Sequence, residues 1–170
     1  MHMSKLFNGL ASEGMLNDWA EILDWLFDDN RFSPDNGWTS GYVGAFIKKV
    51  KRIPNIGDSN YSYESIKKLN IPEHKTSTIT IMHSKSDGES RDLVRHIRNG
   101  IAHGRATLSK PKGELHIEIR DINRQGDPVA YIFIPVNHLK LIFEAYKQVE
   151  KSKNNSLKKI RKIRLNIKNN

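Results

Sequence analysis

The 170-residue chain contains no cysteine. Disulfides and thiolate metal sites are therefore excluded, and a cytoplasmic location is the natural expectation. No apolar run approaches the roughly 20 residues that a helix needs to cross a bilayer. The opening Met1-His2-Met3-Ser4-Lys5 has no signal-peptide core behind it, and no membrane partner is expected. Walker-type phosphate loops and the dinucleotide glycine fingerprint are also missing. Gly9, Gly14, Gly37, Gly41 and Gly44 read as scattered turn or helix glycines. The histidines (His2, His74, His83, His96, His103, His116 and His138) do not combine with the acids into a recognisable ligand set. Neither a metal nor a cofactor is expected.

Negative charge is missing from one stretch in particular. Lys151 to Asn170 holds eight lysines and arginines and no acid. The other 150 residues hold 20 basic and 19 acidic side chains, so the tail carries most of the net charge of +9. A concentrated cation run attracts polyanions, and nucleic acid is the commonest of these in a cytosol. The plainer reading is a solvated terminus. The length suits one domain over residues 1–150, followed by a basic tail over 151–170.

Periodicity then assigns elements. Met15 to Asp29 spaces Leu16, Trp19, Ile22, Leu23, Leu26 and Phe27 as one helical stripe. A second helix runs from Thr39 or Ser40 to Arg52, and Ser62 to Leu69 suits a short third. Thr76 to Met82 is compatible with strand or helix. Ser86 and Glu89 match a capping box before a helix from about Asp87 to Ala102, which Gly104 would close in a left-handed conformation. Two alternating runs within about 114–134 suggest an antiparallel hairpin. A last helix follows from Val136 to about Lys151, and the tail fits helix or strand equally. The expected class is mainly α, an antiparallel helical bundle with a β-hairpin inserted before the final long helix.

The 87–102 segment carries the chemistry. At about 100° per residue, Leu93, Val94, Ile97 and Ile101 fall on a core-facing side. Asp92, His96, Asn99 and His103 gather on the opposite side, with Arg91, Arg95 and Arg98 as a flanking row. His96 reads as a surface or interface histidine and Asp92 as an arginine partner. A histidine in the last turn suits proton transfer near neutral pH. An arginine that never loses its proton suits a phosphate. RNA supplies its own 2′-hydroxyl as nucleophile, so an imidazole and a guanidinium suffice to cleave it without a metal. Arg98 and His103 are five residues apart, or about 140° on an ideal helix. Their convergence requires a long reach by Arg98, a loosening near Gly100, or a second protomer, and a two-fold dimer meets the need most simply.

Arg98-Asn99-Gly100-Ile101-Ala102-His103-Gly104 resembles the signature of the HEPN superfamily, an arginine, a polar residue, and a histidine four to six positions beyond the arginine. The specific likeness spans about Arg91 to Arg105. It implies a small, commonly dimeric α-helical domain, often a metal-independent ribonuclease of toxin–antitoxin or anti-phage defence systems. His103 would be the general acid/base and Arg98 the phosphate and transition-state binder. Asn99 would orient the site or contact RNA. Arg95, Arg105, Lys158, Lys159, Arg161, Lys162 and Arg164 would add RNA affinity. An antitoxin or other defence-system protein is an expected partner beside RNA and a second copy. The alternative is a non-catalytic RNA-binding or protein-interaction module. Arg105 stands where one toxin subgroup carries a modifiable tyrosine, so that regulation is not expected here.

Overall fold

The computed structural model describes residues 2–12, 14–54, 56, 61–64, 77–82 and 88–168. These residues hold five α-helices and five strands. They are α1 (His2–Ser12), α2 (Leu16–Phe27), α3 (Ser40–Val50), β1 (Tyr61–Glu64), β2 (Thr78–Met82), α4 (Glu89–Ala102), β3 (Ala106–Ser109), β4 (His116–Ile122), β5 (Pro128–Pro135) and α5 (Val136–Lys168). The chain is mainly α, as its periodicity indicates.

The β component is larger than an inserted hairpin. The strands form one sheet in the order β1-β2-β5-β4-β3, with β1 and β2 parallel and every other pairing antiparallel. The runs expected to pair only with each other are thus interior strands, flanked by β2 and β3. One expectation is overturned and one open reading is closed. Residues 62–64 lie in a strand rather than a helix, and 65–69 fall outside the described residues. Thr78–Met82 takes the extended form that its Thr and Ile content favours. Helix α4 begins after Gly88, which has no side chain to cap it; Ser86, the expected capping residue, lies outside the described residues. Helix α1 and the four-residue strand β3 are further elements, with no counterpart among the expected ones.

Alternation along the strands separates two faces. Ile79, Ile81, Ile117, Ile119, Ile132 and Ile134 are completely buried in the main core, which the helices complete. Tyr131 and Phe133 form a separate buried cluster, with the His116 ring stacked 4.9 Å from Phe133. Between α2, α3 and α5 lies an aromatic group. Tyr146 stacks on Trp38 at 5.0 Å, and its hydroxyl donates to the Arg31 carbonyl at 3.0 Å. Trp25 and Phe32 also pack against Tyr146.

Helix α5 starts directly from β5, where the Val136 N–H donates to the Leu115 carbonyl at 2.9 Å. It does not stop near Lys151. Its 33 residues continue to Lys168, so the tail is helical. Lys153 is the last buried residue of α5 among those described; its ammonium donates to the Asn36 carbonyl at 2.8 Å and lies over the Trp38 ring. Beyond it, residues 154–165 are exposed except for half-buried Leu157.

Helix α4 packs against β4, and Gly100 sets the distance. A Cβ there would overlap the Ile119 Cγ2 methyl and lie 3.1 Å from the Arg120 carbonyl oxygen. Alanine is the better helix former by about 1 kcal/mol. Overpacking against a β-branched side chain and backbone outweighs that gain, typically costing about 1–3 kcal/mol. Gly100→Ala should therefore lower the midpoint of urea unfolding without changing its slope, and a raised midpoint would show that α4 and β4 are less closely packed than described.

Candidate active site at the end of helix α4

Leu93, Ile97 and Ile101 are fully buried and Val94 nearly so, which fixes the rotation of α4 against the sheet. The helix ends in a Schellman arrangement. Gly104 N–H donates to the Ile101 carbonyl at 3.0 Å, Arg105 N–H donates to the Gly100 carbonyl at 2.8 Å, and Gly104 has φ 65°. His103 occupies the cap position just before this glycine and is exposed.

The opposite side of α4 holds a connected polar chain. Asp92 is fully buried and accepts hydrogen bonds from Arg95 Nη2 at 2.6 Å and from the Tyr63 hydroxyl at 2.7 Å. Burial, then the bond to Asp92, push the Tyr63 hydroxyl's pKa up and keep it a phenol. His96 is only 3% exposed within the single chain, which corrects its reading as a surface or interface histidine. Its Nδ1–H donates to Asp121 Oδ2 at 2.7 Å. The same oxygen accepts from Asn99 Nδ2 at 3.2 Å. Asn99 Oδ1 in turn accepts from Arg98 Nη2 at 3.4 Å, and Arg98 Nη1 donates to Asp29 Oδ1 at 3.1 Å. The order His96–Asp121–Asn99–Arg98–Asp29 thus ties β4 to the segment after α2 through the motif helix.

Two recesses flank this chain. One, of about 630 Å³, is lined by Arg95, His96, Asn99, His103, Asp121 and Arg124, among others. The second, of about 370 Å³, is lined by Asp29, Arg31, Arg91, Arg95 and Arg98 with their neighbours. Asn99 and His103 are brought together; Arg98 lines the other recess, as their separation on the helix requires. Arg95 borders both. Arg91 donates to the Phe32 carbonyl at 2.9 Å. Arg31 is committed to the carbonyls of Leu26 and Asp28, closing the end of α2. Burial, then the neighbouring Arg98, lower its pKa.

The remaining candidates sit elsewhere. Arg105 donates to the Ile122 carbonyl at 3.0 Å and lines a separate shallow recess with Glu118 and Arg120. Lys158, Lys159, Arg161, Lys162 and Arg164 are exposed on the outer part of α5. Among the described residues, no group of three or more His, Asp or Glu side chains could hold a metal ion. No helix among them is long and apolar enough to cross a membrane.

Asp121 and Asp29 were not among the sequence candidates. Asp121 left a readable trace, since it follows Ile117 and Ile119 at alternate positions of β4 and so points inward. Asp29 left none, because its pairing with Arg98 spans 69 residues.

Burial raises the Asp121 pKa, but hydrogen bonds and charge from His96, with the bond from Asn99, outweigh it and hold the carboxyl below its ordinary value. A depressed folded pKa stabilises above the unfolded value of about 3.9, and the contribution is lost as pH falls through the folded one. Asp121→Asn should thus cost roughly 1–3 kcal/mol at pH 7. The deficit should shrink on acidification below about pH 4, and an equal deficit at pH 7 and pH 3 would show that the carboxylate charge is not responsible.

Comparison with known proteins identifies a family. Residues 33–159, about three quarters of the chain, match the family model described as HEPN pEK499 p136. No curated protein and no solved structure gives a significant match. The matched span includes Arg98, Asn99 and His103, and on its extent the chain belongs to the HEPN pEK499 p136 family.

Proposed function

We propose that this protein is a metal-independent endoribonuclease whose site is completed between two copies of the chain. The observation that carries the reading is the exposed His103 beside Asn99 in an open recess, with Arg98 one hydrogen bond away from Asn99. An RNA 2′-hydroxyl would attack the adjacent phosphorus while His103 takes its proton and later returns one to the leaving 5′-oxygen. Arg98 would neutralise the charge that develops on the phosphoryl oxygens. Asn99 would position Arg98, since its amide is already oriented by Asp121. Arg95, on the border of both recesses, is placed to hold a neighbouring phosphate. Because Arg98 and His103 line different recesses of one chain, a second copy would supply the missing member of each pair. The toxin or defence setting follows from what HEPN ribonucleases commonly do.

The same separation favours a second reading, a non-catalytic RNA-binding or protein-interaction domain whose Arg98 is occupied by Asp29. Both are decided by incubating RNA in EDTA with wild type, Arg98→Ala and His103→Ala, each shown to be folded. The enzyme reading expects 2′,3′-cyclic phosphate ends from wild type and a loss of about 10²-fold or more in either variant. Mixing the two variants should restore about a quarter of wild-type activity, since half of the randomly formed dimers carry one intact site of two. Retained RNA binding with no cleavage by any protein would instead support the binding module.

A further inference from the structure

Four arginines line one recess, and their charges are not balanced within the chain. The recess of about 370 Å³ beside the motif is bordered by Arg31, Arg91, Arg95 and Arg98 and by a single carboxylate, that of exposed Asp29. Arg91, Arg95 and Arg98 follow one another along one side of α4 at helical spacing. Arg31 joins them from the segment after α2.

Two of the four have a carboxylate partner. Arg95 is held by buried Asp92 and Arg98 by Asp29. Arg91 and Arg31 form no ion pair among the described residues; Arg91 donates to the Phe32 carbonyl, and Arg31 to those of Leu26 and Asp28. Arg31 is only 7% exposed, and its Nε has no hydrogen-bond partner among the described residues. Asp28 attracts it, but that carboxylate is exposed and lines a neighbouring recess with Lys158 and Arg161. Arg98 repels it. Burying a charge without a counter-charge is costly, and a like charge beside it adds to the cost. An anion from outside the chain would offset both.

The surplus indicates how much charge that anion brings. With Asp92 counted behind Arg95 and Asp29 beside Arg98, two of the four positive charges remain. An internal phosphodiester of RNA carries one negative charge, whereas a phosphomonoester carries about 1.5 to 2 at pH 7. The lining gives a base little to stack on, since its apolar members Phe32 and Val94 are themselves buried in the core. Charge and guanidinium geometry are what the recess can recognise, and arginine forks match phosphoryl oxygens in pairs. From Arg91 to Arg98 the row spans about 10 Å, enough for more than one phosphoryl group.

We propose that the arginine recess is a binding site for a phosphate group of two or more negative charges, a terminal phosphate or a diphosphate, which supplies Arg31 and Arg91 with the counter-charge the chain lacks and shares Arg98 with the motif. The 5′ end of an RNA and a free nucleotide both present such a group. Asp29 is the one carboxylate in its way, and its exposed pairing with Arg98 is weak. The inference rests on the proposed function only in naming an RNA end as one source. Binding of the phosphate group does not require catalysis.

The test is titration calorimetry of the full chain with inorganic pyrophosphate in EDTA, with acetate as a singly charged control. Pyrophosphate should bind at least about tenfold more tightly than acetate. Arg91→Gln and Arg31→Gln should each weaken it about tenfold or more. Asp29→Asn, which removes the competing carboxylate, should tighten it about twofold to fivefold. Circular dichroism checks folding; because Arg31 also closes the end of α2, Arg91→Gln and Asp29→Asn decide the matter if Arg31→Gln does not fold. The source is found with ADP and with a 2′-O-methyl RNA, which has no nucleophile to be cleaved, carrying either a 5′-phosphate or a 5′-hydroxyl. A tenfold preference for the phosphorylated RNA assigns the group to an RNA end. ADP binding as tightly as pyrophosphate, with the two RNAs alike, assigns it to a free nucleotide. No pyrophosphate binding at about 1 mM, or binding that Arg91→Gln leaves unchanged, would overturn the inference. So would equal binding of both RNAs without any of pyrophosphate, which would mean that the recess takes internal phosphodiesters. No arm of the experiment reads cleavage, so failure here leaves the ribonuclease reading to its own assay.

Discussion

The contact of α4 with β4 at Gly100 is the constraint on which the site depends. A helix that carries one catalytic candidate in its last full turn and another at its cap must be held at a fixed depth and rotation. Isoleucines on both sides of the contact set the rotation, since Ile97 and Ile101 face Ile119 and its neighbours in one core. The absent side chain at Gly100 sets the depth. Because β4 comes so close, Asp121 can reach both His96 and Asn99 from the strand. The polar chain behind the motif is therefore a consequence of apolar packing, and an ionised carboxylate sits in that place because two donors converge on it.

The electrostatics of the site are arranged around carboxylates rather than around the arginines alone. Asp92 holds Arg95, Asp29 meets Arg98, and Asp121 orients the amide between them. These three pairings differ in consequence. Asp92 is sealed from water and its bonds are structural, whereas Asp29 is 85% exposed and its pairing with Arg98 is a weak surface contact. Arg98 is thus held in orientation by Asn99 and only lightly neutralised. Under the proposed function, a phosphate of the RNA would compete with Asp29 for Arg98 at little cost.

Much of the local structure was legible in the sequence. The stripes of α2 and α3, the core side of α4 and the left-handed Gly104 follow from spacing and from glycine chemistry. Strands β4 and β5 show as alternation, but β1 and β3 do not, because Tyr61–Glu64 and Ala106–Ser109 are four residues long and carry too few positions to display a period. Sheet order depends on pairings between distant segments, which no local pattern specifies. The arginine, asparagine and histidine of the motif were visible as a helical face. Their separation into two recesses was visible as an angle. Asp29 and the Asn99–Asp121 bond were not, since each links positions far apart in the chain. His96 was misread for a related reason: a polar face is expected to meet water, and here part of it meets the buried end of a strand.

Helix α5 also has a mechanical character. Its first residue is bonded to the start of β4, and its eighteenth is clamped by Asn36 and Trp38, so the inner half is fixed at two points. The outer fifteen residues form a cantilever rooted at Lys153. A deflection of about 10° at that root moves the far end by roughly 4 Å, about three quarters of one helical turn's rise. Any load on the arm is therefore delivered to the Asn36–Trp38 loop, and through the Trp38–Tyr146 stack to the aromatic core, where Tyr146 is tied to the backbone of Arg31. The loop that receives this load is joined through residues 30–35 to Asp29, so the root of the arm and the arginine recess share one stretch of chain.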